Sequence, residues 1–339
     1  MWLGRSKNYN GREPGPIVSG DNMKYLNFAV ATTTIALACG STVQASGAEA
    51  PHTAAISARN LKESDFPRWQ KLAPDVYAYE GLHAPDKDGT IVNTVSLIVV
   101  TTDGVVVVDG QGDLKQSQLL VDNIGKLTPQ PIKNVVIASD HGDHVGGNAA
   151  FKAAYPDVVF IATPASMKTL AKNPNPPTVT VADKQTLRLG QTDIQILNLG
   201  RAHTGGDLVV YLPQSKVLFM SEVYLRDVFP AMRSAYPSEW VATIAKAQAM
   251  DASWFVPGHG FVDDRASLKR DLEEARKATA YVIQEAGRLK KAGYACETAA
   301  NCPAAEHADW GPYRGWALIG SQAPVAIAKV YQEIDGKLP

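Results

Sequence analysis

Residues 95–108 constrain the fold more than any other stretch of this chain. Two β-branched runs, Val95-Ser96-Leu97-Ile98-Val99-Val100 and Val105-Val106-Val107-Val108, flank Asp103-Gly104. That pattern predicts a hairpin turned at Asp-Gly. The second run has no polar position, so both faces of its strand must be covered. Further strands are expected over 75–80, 135–138, 158–162, 185–189, 193–197, 208–212 and 217–220, and helices over 114–127, 237–250 and 267–291. In the last helix Leu268, Leu272, Ala275, Thr279, Val282, Ala286 and Leu289 recur at steps of four and three, which makes one core-facing stripe. Strand-rich halves with helices between them imply an α/β fold of two sheets flanked by helices. The stiff segment Asn173-Pro174-Asn175-Pro176-Pro177 is a candidate boundary between the halves.

Composition narrows the partners. The 339 residues hold 33 Lys and Arg against 34 Asp and Glu, with no basic block, which argues against electrostatic capture of nucleic acid. An apolar share of 45% with 20% charged residues is that of a chain able to bury a core. No apolar run approaches the length of a spanning helix. The oligomeric state is left open.

The N-terminus reads separately. Lys24, the apolar stretch Phe28 to Cys39 and the small-residue site Val43-Gln44-Ala45 form a secretory signal over 23–45, behind a polar extension at 1–22. The protein is expected to be exported, periplasmic or secreted. Lipidation at Cys39 is the weaker alternative, because Ala36 stands where a Leu is usual. Residues 46–339 are then a single domain with a helical part from about 263 onward. Cys296 and Cys302 remain in it, either as a small-loop disulfide or as two thiols.

The chemistry concentrates at strand ends. Ser139-Asp140-His141-Gly142-Asp143-His144-Val145-Gly146-Gly147 follows a buried strand and offers three potential metal ligands within four positions. His203 lies in His203-Thr204-Gly205-Gly206-Asp207, just past another strand. Glu222 ends the strand begun at Val217, and His259 follows Trp254-Phe255-Val256 within Pro257-Gly258-His259-Gly260. Each of the later residues is a weak signal alone, but repeated ligand types at strand ends mark one sheet edge. His52, His83 and His307 are not read as ligands.

This arrangement resembles the metallo-β-lactamase superfamily, whose pattern is His-x-His-x-Asp-His followed by glycines. The strand Val105 to Gly110, the His141–Gly147 segment, His203-Thr204-Gly205, the strand before Glu222 and Pro257-Gly258-His259-Gly260 occur in the family's order. The resemblance implies a four-layer αβ/βα sandwich of two mixed β-sheets flanked by helices. It also implies one or two metal ions, zinc foremost and iron not excluded. The first site would use position 139, His141 and His203; the second would use Asp143, His144 and His259. Glu222 falls where many members have a bridging aspartate.

Two positions depart from the pattern. Ser139 replaces the first histidine, and a hydroxyl is a poor zinc ligand beside imidazole. Glu222 is one methylene longer than aspartate. The first site is therefore expected to be weak, or to need Glu222.

Zinc lowers the pKa of a bound water from about 15.7 to roughly 7, which permits attack on a carbonyl, phosphoryl or sulfuryl centre. Asp143 is the candidate catalytic residue that orients the nucleophile. Tyr224, Arg226 and Arg233, in the aromatic and basic segment 224–236, are candidate substrate contacts on a lid. Gly81 to Asn93 is a candidate flap. No serine-hydrolase elbow, Walker loop or dinucleotide fingerprint occurs. The leading expectation is an exported zinc-dependent hydrolase of an amide or ester in a small-molecule substrate, such as a β-lactam or lactone. The alternatives are a non-hydrolytic metal-binding accessory protein and an iron-dependent oxidative member.

Overall fold

The computed structural model describes residues 52–83 and 90–339. The signal reading over 23–45, the extension at 1–22 and the middle of the flap at 84–89 lie outside the described residues. The described residues belong to one compact unit.

The chain opens with β1 (Arg68–Ala73) and β2 (Val76–His83), then the predicted hairpin as β3 (Val92–Thr101) and β4 (Gly104–Val108). Its turn is displaced by one residue. Thr101 pairs with Gly104, so Thr102 and Asp103 are the turn and Gly104 begins the returning strand at φ 143°. A side chain there would press on Lys133 and on the Pro131 carbonyl, which glycine avoids. Helix α1 (Leu114–Leu127) has the predicted bounds, and the Asp113 side chain caps it by accepting from the Gln116 amide. Then come β5 (Ile132–Val136), the short helices α2 (Gly142–Val145) and α3 (Asn148–Ala154), β6 (Val159–Ala162), α4 (Pro164–Thr169) and β7 (Val179–Thr180). The second half contains β8 (Lys184–Leu189), β9 (Thr192–Leu197), β10 (Val209–Leu212), β11 (Val217–Leu225), α5 (Pro237–Gln248), β12 (Trp254–His259), α6 (Arg265–Lys291) and α7 (Ile319–Ile334). The chain crosses between halves after Thr180, one short strand beyond the proline-rich connector.

The strands form a mixed, α/β-type sheet in the order β7-β6-β5-β4-β3-β12-β11-β10-β9-β8, with β2 and β1 branching from β3. Where two separate sheets are expected, the halves are continuous through one pairing, His259 with Thr94. Strand β4 shows why both faces need cover. Val106 and Val108 point into the larger core, which also contains Leu97, Val210 and Met220. Val105 and Val107 point into a second core with Leu120, Ile124 and Phe151 of α1 and α3. All seven residues of the α6 stripe are buried. Cys296 and Cys302 form a disulfide between α6 and α7.

Candidate metal centre

The site is built where strand ends meet. A hydrogen bond from the Leu208 amide to the Ala138 carbonyl brings the His203 loop beside the end of β5. The His141–Gly147 segment turns tightly under β4, and Gly146 and Gly147 are required for it. A Cβ on Gly146 would stand 2.1 Å from the Gly112 carbonyl oxygen, and one on Gly147 would stand 1.8 Å from Ser117 Oγ. In β11 a register shift at Ser221, in the left-handed region at φ 48°, bends the strand opposite Gly258. The Glu222 carboxylate consequently enters the site.

Six side chains converge there in two groups that share Glu222: Asp143, His144, His259 and Glu222 in one, His141, His203 and Glu222 in the other. In the first group Asp143 Oδ2 lies 3.0 Å from His259 Nε2 and 3.5 Å from His144 Nε2, and Glu222 Oε1 lies 3.6 and 3.8 Å from the same nitrogens. In the second, Glu222 Oε2 lies 3.1 Å from His141 Nδ1 and 2.9 Å from His203 Nδ1. Ser139 is fully buried and its hydroxyl donates to the same Oε2. Asp140 belongs to neither group.

This donor set fits a cation. His259 Nδ1 faces the Asn93 carbonyl at 2.7 Å, and a carbonyl only accepts, so Nδ1 carries the proton and Nε2 presents its lone pair. His144 Nδ1 is held the same way by Asp109 Oδ2 at 2.9 Å. In the neutral rings the two Nε2 atoms face each other at 3.3 Å with nothing to donate between them, an arrangement that a bound ion, or in its place a proton, relieves. His203 Nδ1 is likewise buried without a hydrogen bond, although Glu222 Oε2 is close. Imidazole nitrogens and carboxylates converging in this way are the ligands zinc prefers.

The electrostatics point the same way. Burial opposes charge on His144 and His259, yet the nearby carboxylates outweigh it. Asp109, Asp143 and Glu222 raise His144 to about 9, and Asp143 and Glu222 raise His259 to about 10. Burial also works against ionisation of Glu222, but His203, His141 and His144 hold its carboxyl well below the usual range. The pocket is thus arranged to attract positive charge.

Asp109, in the left-handed region at φ 60°, organises the base. Besides His144 it accepts from the Ala138 amide at 2.8 Å and from Ser221 Oγ at 2.5 Å. Asp109 falls within the Val105–Gly110 motif of the resemblance but has no role assigned by it, and Asn93 carries no sequence signal beyond its place at the start of β3. Trp240 packs edge-on to the His203 ring at 5.3 Å, while Thr204 and Asp207 bond to each other.

The cleft over the site is narrow, about 80 Å³, and is lined by His83, Arg233, Leu318 and Gln322 among others. Tyr224 and Arg226 are corrections to the sequence reading. The Tyr224 hydroxyl donates to the Leu268 carbonyl inside the core. Arg226 is 3% exposed and pairs with Asp271 and Asp263, away from the cleft. The segment after Glu222 packs rather than forming a free lid: Phe229 and Met232 are buried, and the Phe229 amide donates to Ala317. Arg233 alone of the three candidate contacts faces the cleft.

Residues 89–259, half of the chain, match the family model of the metallo-beta-lactamase superfamily. The chain belongs to that superfamily, and it is a metal-dependent hydrolase. It is 27% identical over 195 residues to a metallo-beta-lactamase type 2 of Bacillus sp. (strain 170), covering 55% of this chain and 74% of the relative. Identity to the metallo-beta-lactamase type 2 of Bacillus cereus is 26% over 192 residues, with the same coverage. Among solved structures, a metallo-beta-lactamase from Pontibacter korlensis has 26% identity and a TM-score of 0.56, over 62% of this chain and 98% of that one. DIM-1 metallo-beta-lactamase exposed to ceftazidime, at 22% identity and a TM-score of 0.54 over 62% of this chain and 96% of that one, shares the fold. Among the described residues no helix is long and apolar enough to cross a membrane.

Proposed function

We propose that this protein is an exported, zinc-dependent hydrolase of an amide or ester bond, in a β-lactam, a lactone or a related ester. The observation that carries the reading is the shared Glu222 carboxylate, with one oxygen toward each histidine group. His144, His259 and Asp143 would hold one ion, and His141, His203 and Glu222 would hold a second. Zinc bound there would supply Lewis acidity and lower the pKa of a water to roughly 7. Asp143, which lines the cleft 3.0 Å from His259 Nε2, would orient the attacking water. Arg233, exposed at the mouth, attracts a substrate anion, and the apolar rim of Leu225, Val228 and Leu318 excludes water around it. The domain reading is residues 46–339 as one catalytic unit. The two core faces of β4, one against helices and one against the other half-sheet, support the four-layer arrangement. Kinship to metallo-beta-lactamases supports the β-lactam option.

The test is hydrolysis of a chromogenic cephalosporin, a homoserine-type lactone and a nitrophenyl ester, before and after removal of metal by a chelator. Activity on one class, lost on chelation and restored by zinc, is expected. Turnover that persists without metal, or none on any class, would overturn the proposal.

A further inference from the structure

Position 139 and position 222 depart from the family pattern together, and the structure puts their side chains in contact. Serine is shorter than the histidine it replaces, and Glu222 is longer than aspartate by one methylene. The Ser139 hydroxyl meets the Glu222 carboxylate at Oε2, the oxygen that also faces His141 and His203. We propose that Ser139 is a positioning residue: its hydroxyl fixes the Glu222 carboxylate so that Oε2 takes the ligand place of the missing imidazole. This rests on the two-ion reading above.

The hydrogen-bonding capacities fit that role. Ser139 has no exposed surface, and its backbone amide is held by Asp109 Oδ1 at 3.3 Å, so the hydroxyl is carried on a fixed base. Its oxygen accepts from the His141 amide at 3.3 Å, which leaves the hydroxyl hydrogen for Glu222. One donated proton occupies one lone pair of Oε2 and leaves the other for an ion between His141 and His203. Oε1 remains directed at His144 and His259. The extra methylene lets one carboxylate reach Ser139 and both histidine groups. An aspartate at 222 beside a serine at 139 would fall short of this contact, and a histidine at 139 beside Glu222 would crowd it. The two positions therefore form one unit, and either replaced alone should damage the first site.

The experiment measures zinc per chain by elemental mass spectrometry and zinc affinity by competition with a chromophoric chelator, on the full chain. The wild type should bind two ions. Ser139→Ala should keep the tighter ion and weaken the other by about 10–100-fold, the usual effect of removing a partner that orients a ligand. Glu222→Asp, which shortens the reach to both groups, should weaken that second ion at least as much. The double variant Ser139→His with Glu222→Asp should recover the second ion. Circular dichroism of the metal-free proteins should show no loss of structure. Undiminished binding of both ions by Ser139→Ala, or equal weakening of both, would overturn the proposal. A wild type that binds one ion would overturn it while leaving a single-ion hydrolase standing; binding of none would overturn both readings.

Discussion

Asp109 and His144, 35 residues apart in the chain, are joined by a 2.9 Å hydrogen bond at the base of the site. The carboxylate accepts from Nδ1, which leaves Nε2 free to meet an ion. Asp109→Asn tests this without disturbing the backbone, because Asn also tolerates the left-handed conformation at that position. The Asn oxygen can keep the Ala138 amide, so its Nδ2 faces the imidazole. His144 must then accept at Nδ1 and carry its proton on Nε2. Zinc affinity should fall by about 10–100-fold while the far-ultraviolet circular dichroism is retained. Unchanged affinity would show that the tautomer is set elsewhere.

Arg226 is expected to matter for folding and not for substrate. Its Nε and Nη2 donate to Asp271 Oδ2 at 3.0 and 2.8 Å, and Asp271 is itself 3% exposed. Arg226→Ala removes both bonds to Asp271 Oδ2 and leaves Arg270 Nε on Oδ1 at 2.9 Å, at a cost of about 1–3 kcal/mol. Urea unfolding should detect a loss of that size. At fixed metal load and below the new unfolding transition, KM should be unchanged; a KM that rises several-fold would return Arg226 to the substrate.

Asp207 predicts a pH effect with a definite sign. Burial pushes its carboxyl from 3.8 up to about 7, despite the amide and hydroxyl of Thr204. Between those values the native state holds a proton that the unfolded chain has released. The unfolded state binds fewer protons there, so stability falls as pH rises from about 4 to 7. Asp207→Asn can still accept from the Thr204 amide on its oxygen while its Nδ2 donates to the Thr204 hydroxyl, and it removes the titration. Relative to the wild type, the variant should gain stability over that range by at most about 4 kcal/mol, from about 1.4 kcal/mol per pKa unit. Parallel stability profiles in urea across pH 4–8 would refute this.

The parts of the site legible in the sequence are those carried by neighbours in the chain. His141, Asp143 and His144 fall within four positions, and the strand-then-histidine pattern recurs at His203 and His259. Asp109 and Asn93 escape that reading because their partners lie 35 and 166 residues away, and an Asp or Asn after a strand has many uses. Tyr224 and Arg226 mislead for a different reason. An aromatic and a cation beyond a strand read as surface, whereas β11 continues to Leu225 and the core closes over both. The hairpin is legible as a hairpin, but its turn slips by one because Gly104 is needed for clearance against the Pro131–Lys133 segment.

The wall of the cleft comes from the part of the chain beyond the family match. Leu318 and Gln322 line the cleft from the start of α7, and Leu318 sits at φ 66°, where a branched side chain is strained. The neighbouring backbone is pinned: the Ala317 amide donates to Asp227 at 3.1 Å, and the Phe229 amide donates to Ala317 at 2.9 Å. A bulky residue held in place at the mouth should limit substrate size. Leu318→Ala and Leu318→Gly remove the same obstacle but differ in backbone strain. The glycine variant should be the more stable by about 1 kcal/mol in urea, the reverse of the order on an ordinary helix. Both should retain the wild-type metal content. For two esters that differ only in acyl bulk, kcat/KM for the larger should rise by about tenfold relative to the smaller, the scale of relieving one or two methylenes of overlap. Equal changes for both esters would mean that Leu318 supports the scaffold and leaves selection to the residues beneath it.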